Sequence, residues 1–315
     1  MKLANCSDWY SSNLNEKKLL YNNKRKFPAW HYAMMNDKSR NEAIYSAIKS
    51  LNLKNKNVLE IGTGAGLVAM YFAKCGAEHV YTCEMDKQLC DIAEQNIKKN
   101  NLESKITVFN MSSTDLIDSK ILKITPDVIF TETLECGIIG EGYEQVSVDI
   151  KKIMTEKTVI LPDIIKQYGF LIDSQDIKEQ NIANNEKMGA NLDLELINQY
   201  STVSYFPVKY NAYKARTLTD IVEIGSYDYK NDFRQSRKIK IKAYRSGICH
   251  GLITYFHAKF GEHSVTNDVR DNSHWHQAFH PFLHSIELVA GNHYQIEINE
   301  LGYVDLTIQG ERNEL

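Results

Sequence analysis

Asn-Val-Leu-Glu-Ile-Gly-Thr-Gly-Ala-Gly-Leu, residues 57–67, is the stretch whose reading decides the fold. Its first five residues read as a buried strand, and the apolar run 67–74 that follows reads as a helix. Glycines at 62, 64 and 66 join the two. They permit a tight turn and let a ligand approach the backbone, while free N–H groups at the helix start can meet polar ligand atoms. The alternation continues outward. Strands are predicted over 79–85, 105–110 and 126–132, and helices over 86–100 and 146–154. Upstream, Met34, Ile44, Ala47, Ile48 and Leu51 fall on a helical period across 30–51. Such a βαβα rhythm predicts a parallel sheet with helices on both faces.

The pattern changes at Leu161-Pro162. Segments 166–172, 219–227, 237–244, 250–260, 282–289, 294–299 and 303–310 follow, with period-two runs such as Ile239, Ile241, Ala243. These predict antiparallel strands in a sandwich or barrel. Between them, 177–200 is polar and helix-prone, as an inserted arm would be. The expected fold class is therefore α/β + β: a Rossmann-like domain followed by a β domain. The expected boundaries are an N-terminal arm at 1–26, a Rossmann-like domain at 27–161, and a β domain at 162–315 with an insertion at about 177–212.

Composition narrows the class without choosing a function. Forty-three per cent hydrophobic and 24% charged residues suit a folded enzyme or binding protein. A net charge of -3 gives no reason to expect nucleic-acid or membrane partners. Six scattered cysteines, without a C-x-x-C pair or a zinc-spaced His cluster, argue against a disulfide framework and against a metal. No apolar signal core opens the chain and no eighteen-residue apolar run occurs. A cytoplasmic setting is expected, with the nucleus also open to it in a eukaryote.

A dinucleotide fingerprint would need Gly or Ala where Leu67 stands, which disfavours a nicotinamide oxidoreductase. Glycines at 62, 64 and 66, preceded by Glu60, closely resemble motif I of class I methyltransferases, and S-adenosylmethionine is the cofactor this implies. Glu84 follows the second strand, eighteen residues after Gly66, where a carboxylate can hold both ribose hydroxyls; a surface acid at a strand end is its bland alternative.

Thr-Glu-Thr-Leu-Glu-Cys-Gly-Ile-Ile-Gly-Glu-Gly, 131–142, places Glu132 and Glu141 around a glycine-containing loop after the fourth strand. Two buried carboxylates repel and raise one pKa unless a cation lies between them. A guanidinium, always charged and fork-shaped, suits such a pair. This loop resembles the double-glutamate loop of protein arginine methyltransferases, in the form typical of subfamilies that carry two modules. By that resemblance Glu132 and Glu141 grip the substrate guanidinium and Glu135 is not one of the pair.

The resemblance covers roughly 27–310, strongly in 28–165 and thinly beyond it except at 272–279. Trp30–Asn41 matches the helix that folds over the cofactor, which implies that Arg40 pairs with the cofactor carboxylate, Met34 packs near the sulfonium and the guanidinium, and His31 touches the cofactor's tail. Asn-Ser-His-Trp, 272–275, matches a Thr-His-Trp loop, with Ser273 where Thr is usual. His274 would then pair with Asp37 in the catalytic set, and Trp275 would wall the substrate pocket. Ser113 and Thr114 would meet the adenine, although the family usually carries an acid where Thr114 stands. Of the family's two N-terminal tyrosines, Tyr21 is a candidate for one and Arg25 stands in place of the other.

The expected activity is methylation of a guanidino group, in arginine-containing proteins or peptides. The rivals are a small guanidino metabolite such as free arginine, another nucleophile, or a fold that binds without catalysis. One-module relatives pair through an arm at the position of 177–212, so a homodimer is expected.

Overall fold

The computed structural model describes residues 25–231, 237–298 and 304–308. The chain enters through α1 (Trp30–Met35) and α2 (Lys38–Ser50). One helix was expected across 30–51, but the chain breaks at Asn36-Asp37. The Asp37 carboxylate accepts the backbone N–H of Arg40 and so caps α2, a task at which Asp outperforms helix-interior residues.

Five parallel strands follow: β1 (Asn57–Ile61), β2 (His79–Cys83), β3 (Ile106–Phe109), β4 (Val128–Thr131) and β5 (Val159–Leu161). Their order is β3-β2-β1-β4-β5. Neighbouring residues of a strand face opposite sides of the sheet, yet Val58, Leu59, Glu60 and Ile61 are all buried. Both faces of β1 are therefore covered. The cover comes from α3 (Leu67–Lys74), α4 (Lys87–Lys99), α5 (Ser113–Asp118) and α6 (Tyr143–Ile153), whose Val68, Phe72, Ile97, Leu116, Val146 and Ile150 join one core with the strands. The order of the strands switches at β1, with β2 and β3 laid down on one side and β4 and β5 on the other, which opens a crevice at the carboxyl ends of these strands.

After β5 the pairing becomes antiparallel. β6 (Ile164–Asp173), β7 (Phe206–Val208), β8 (Arg216–Thr217), β11 (Gly247–Phe260) and β13 (Gln277–Leu288) run in the order β7-β13-β11-β6-β8. β9 (Val222–Tyr227) pairs with β6, and β12 (His263–Thr266) pairs with β11. A second sheet, β10 (Arg237–Lys242), β14 (His293–Ile298) and β15 (Val304–Ile308), has the order β10-β14-β15. Its Ile241, Tyr294 and Ile296 pack on Leu171, Leu252 and Phe282 of the larger sheet. Phe256, Phe260 and Trp275 enter the same core as β1 and β4, so the α/β and β parts share apolar interior.

The insertion between β6 and β7 corrects the expected helical arm. It holds one four-residue helix, α7 (Gln175–Lys178), and two 3₁₀ turns, Asn185–Lys187 and Glu195–Tyr200. Segments this short gain little from propensity, and the arm is held by side chains such as Asn181, Asn184 and Asn198 bonding to its backbone and to one another's neighbours. No described helix is long and apolar enough to cross a membrane.

Candidate active site

The glycine turn follows directly from its backbone. Gly62 and Gly66 have φ of 81° and 89°, where a side chain is strained, and a Cβ on Gly62 would sit 3.0 Å from the Thr133 methyl. Backbone N–H groups of Gly62 and Thr63 both donate to the Cys83 carbonyl at 3.1 Å, tying the turn to the end of β2. Glu60 anchors it from below: the hydroxyls of Thr63 and Thr82 each donate to its Oε2 at 2.6 Å. Burial pushes the Glu60 carboxyl up, and the two hydroxyl bonds oppose that. Glu84 accepts the N–H of Gly64 and of Asp86, each at 2.9 Å, one on each oxygen. Every carboxylate oxygen has a second lone pair, so Glu84 keeps capacity for a bound diol. Burial raises its pKa as well.

These groups line a cavity of about 420 Å³ at the carboxyl ends of the strands. Met34, Arg40, Gly62 and Gly64 also line it, as do Ser113, Thr114, Glu132 and Glu141. Gly66 sits just behind, as the left-handed cap of α3. His31 reaches the cavity too, stacked on Trp30 with its Nδ1 3.0 Å from the Pro28 carbonyl. A second cavity of about 220 Å³ shares Met34, Glu132 and Glu141 with the first and adds His274 and Trp275. The two glutamates thus stand at the junction of two spaces.

Arg40 and Glu132 form an ion pair in which both side chains are almost wholly buried, at 6% and 4% exposure. The guanidinium Nε lies 2.9 Å from Glu132 Oε2, and a terminal nitrogen meets the same oxygen. The Arg40 side chain is thus bonded directly to Glu132, where the resemblance implied a cofactor carboxylate as its partner. Among the described residues, Glu141 has no such cation. It is exposed yet lines both cavities, and desolvation there, together with the like charges of Glu132 and Glu135, pushes its carboxyl up to about 7.

On the far wall, His274 Nδ1 lies 2.9 Å from Asp37 Oδ2, which also accepts the His274 backbone N–H at 3.0 Å. Burial works to raise the Asp37 carboxyl, but the bonds from His274 and from the Arg40 amide outweigh it and hold the group at about 2. The Trp275 ring N–H donates to the Leu134 carbonyl at 2.8 Å, pinning the indole beside the loop that carries the two glutamates. Lys209 donates to the carbonyls of Ser273 and Trp275, at 2.7 and 2.6 Å, and fixes this loop from beneath.

Tyr205 and Asp149 escaped the sequence reading, as did the task of Glu135. Glu135 turns inward: its Oε1 accepts the N–H groups of Gly137 and Gly140, at 2.8 and 3.2 Å, and the Tyr205 hydroxyl at 2.7 Å. Tyr205 itself carried no local signal. Asp149, fully buried, receives the hydroxyls of Ser113 and Thr114, each at 2.7 Å. A signal for it did exist, because Asp149 falls with Val146 and Ile150 on the apolar stripe of α6, where a carboxylate needs donors. Tyr21 lies outside the described residues. Among the described residues, no group of three or more His, Cys, Asp or Glu could hold a metal ion.

Residues 43–182 match the family described as ribosomal protein L11 methyltransferase (PrmA). An arginine N(omega)-methyltransferase of Streptomyces achromogenes subsp. streptozoticus is 29% identical over 91% of this chain and 79% of its own length. Protein arginine N-methyltransferase 9 of Homo sapiens is 25% identical over 86% of this chain, which spans only 36% of that relative. Among solved structures, the PRMT1 enzyme–prozyme heterotetrameric complex of Trypanosoma brucei with AdoHcy superimposes with a TM-score of 0.76. It covers 90% of this chain and 94% of its own, at 18% identity. Protein arginine methyltransferase 10 of Arabidopsis thaliana follows at a TM-score of 0.68, over 89% and 87% of the two chains and at 19% identity. A strand–glycine–helix turn and two glutamates at a cavity junction thus go together with similarity to arginine methyltransferases along most of the chain's length.

Proposed function

We propose that the chain transfers a methyl group from S-adenosylmethionine to a guanidino nitrogen of arginine, in proteins or peptides. The observation that carries this is the pair Glu132 and Glu141 at the junction of the two cavities, one of which has a diol-competent carboxylate at its middle and the other an aromatic wall. The larger cavity falls within the range of small-ligand sites, roughly 300–1,000 Å³. Its residues fit the cofactor chemically. Glu84 offers acceptors to ribose hydroxyls, Ser113 and Thr114 stand where the base would lie, and Arg40 is the cation for a carboxylate.

S-Adenosylmethionine supplies a methyl group made electrophilic by a sulfonium. Glu132 and Glu141 put negative charge where two cationic reactants must meet, and draw the guanidinium's positive charge toward the nitrogens they hold. The attacked nitrogen is left richer in electrons. A carbon–nitrogen bond forms as the carbon–sulfur bond breaks, sulfur leaves as a neutral thioether, and one proton departs from nitrogen. Glu141, with its carboxyl near 7, is suited to receive that proton. Asp37 and His274 hold the wall opposite, and Trp275 offers an aromatic face to the delocalised cation. Alignment of both reactants in one enclosed site supplies several kcal/mol of the acceleration.

Free arginine is the second reading. It is favoured by the bacterial relative, which matches most of both chains and is named for arginine without mention of protein. Mass spectrometry of reactions with S-adenosylmethionine and either an arginine-rich peptide or free arginine separates the two. Methylated peptide supports the first reading, and methylation of free arginine alone supports the second.

A division into 27–161 and 162–315 is part of the same proposal, supported by the change from parallel to antiparallel pairing after β5. So is a homodimer built through the arm, supported by the exposure of Leu196, Ile197 and Tyr200 at 78%, 63% and 85%.

A further inference from the structure

We propose that Asp149 is a positioning residue that makes the base end of the larger cavity select a purine bearing a 6-amino group, acting through the hydroxyls of Ser113 and Thr114. The inference rests on the cavity being the S-adenosylmethionine site. Sheet order then fixes the direction of the ligand. Glu132 follows β4, the glycine turn follows β1, Glu84 follows β2, and Ser113 and Thr114 follow β3. With the reacting centre at Glu132 and the ribose at Glu84, the base falls at Ser113 and Thr114, both of which line the cavity.

Behind these hydroxyls lies a carboxylate with no exposure at all. Asp149 Oδ2 is 2.7 Å from Ser113 Oγ and 2.7 Å from Thr114 Oγ1. Its Oδ1 accepts the Gln145 side-chain amide at 3.1 Å and lies 3.6 Å from the Lys152 ammonium. A carboxylate has no proton to give, so both hydroxyls must donate to it. Each hydroxyl has only one proton. What remains for the cavity is a pair of oxygen lone pairs, strengthened as acceptors by the donation behind them. An exocyclic amino group matches these acceptors. A 6-oxo group, as in hypoxanthine, sets lone pair against lone pair and leaves buried polar atoms unpaired, the arrangement that gives the largest discrimination between near-isosteres.

Asp149→Asn keeps the shape but places an amide, which donates as well as accepts, behind the hydroxyls. One hydroxyl can then turn its proton into the cavity. The test is calorimetric titration of the wild-type chain and the variant with S-adenosylhomocysteine and with S-inosylhomocysteine. The wild-type chain is expected to prefer the adenosyl compound by roughly 30-fold or more. In Asp149→Asn the ratio is expected to fall below about fivefold, chiefly because the inosyl compound binds better.

A merely structural role would weaken both ligands together and leave the ratio unchanged. Should Asp149→Asn not fold, the double variant Ser113→Ala/Thr114→Val, which removes the hydroxyls and leaves α6 intact, is expected to erase the ratio as well. An unaltered ratio in a folded variant, or equal affinities in the wild-type chain, overturns the assignment. No binding of either compound to the wild-type chain overturns the cofactor site along with it.

Discussion

At the scale of single residues, the two glutamates divide their tasks through their surroundings. Glu132 has a buried cation in Arg40, whereas Glu141, among the described residues, faces desolvation and the like charges of Glu132 and Glu135, which push its carboxyl up to about 7. Because the shift is upward, Glu141 is protonated below that value and can neither grip a cation nor accept a proton there. We predict that kcat/KM for the acceptor rises about tenfold per pH unit up to about 7 and then levels, and that Glu141→Gln loses this ascending limb along with about 10³-fold in kcat. Rate profiles of both proteins between pH 5 and 9 check it; an unchanged profile in the variant contradicts it. That one member of the pair would be raised was legible in the sequence, since two carboxylates flank one short loop. The partner of Arg40 was not, because Glu132 is 92 residues away and no local pattern records which carboxylate folds across from a helix. Asp149 was overlooked although its place on an apolar stripe marks it.

At the scale of elements, the segment between β4 and α6 is wrapped around the Glu135 carboxylate and clasped from outside by Tyr205. A Cβ on Gly137 would lie 2.5 Å from the Tyr205 ring, so ring and loop are in close contact. Tyr205 stands just before β7, where the inserted arm returns to the sheet, and so connects arm and loop. Tyr205→Phe removes one hydrogen bond to a charged group, about 1.5–3 kcal/mol. We predict that it lowers kcat about tenfold, with S-adenosylhomocysteine affinity changed less than about twofold, because the cofactor cavity has its own supports. Calorimetry and steady-state kinetics read the two separately, and parallel losses would contradict the clasp. Four of the five parallel strands were legible because the helical and strand periods alternate from 57 to 154; β5, three residues long, and the six-residue α5 were not. β7, β8 and β12 were not, being two to four residues long. The arm's helical propensity was legible and misleading: its short turns follow side-chain bonds to the backbone instead.

At the scale of the whole molecule, two differently paired sheets meet in one core, and the site lies where the glycine turn, α1, α2 and the 272–276 loop converge. That the chain holds both parts was legible from the change of period at Leu161-Pro162. How they meet was not, since Asp37 and His274 are joined across 237 positions. The arm's apolar exposure predicts a dimer, with a light-scattering mass of twice 36.2 kDa at micromolar concentration. Leu196→Glu/Ile197→Glu should return it to a monomer with activity lowered about tenfold or more. A monomeric wild-type chain would contradict the assembly.

The central claim is that Glu132 and Glu141 hold a guanidinium against a methyl donor. The most direct measurement is single-turnover transfer from S-adenosylmethionine to an arginine acceptor by Glu132→Gln, with S-adenosylhomocysteine binding measured on the same preparation. The account predicts transfer lowered at least about 10³-fold with the cofactor product still bound. Methyl transfer at the wild-type rate in a variant that binds normally would contradict it.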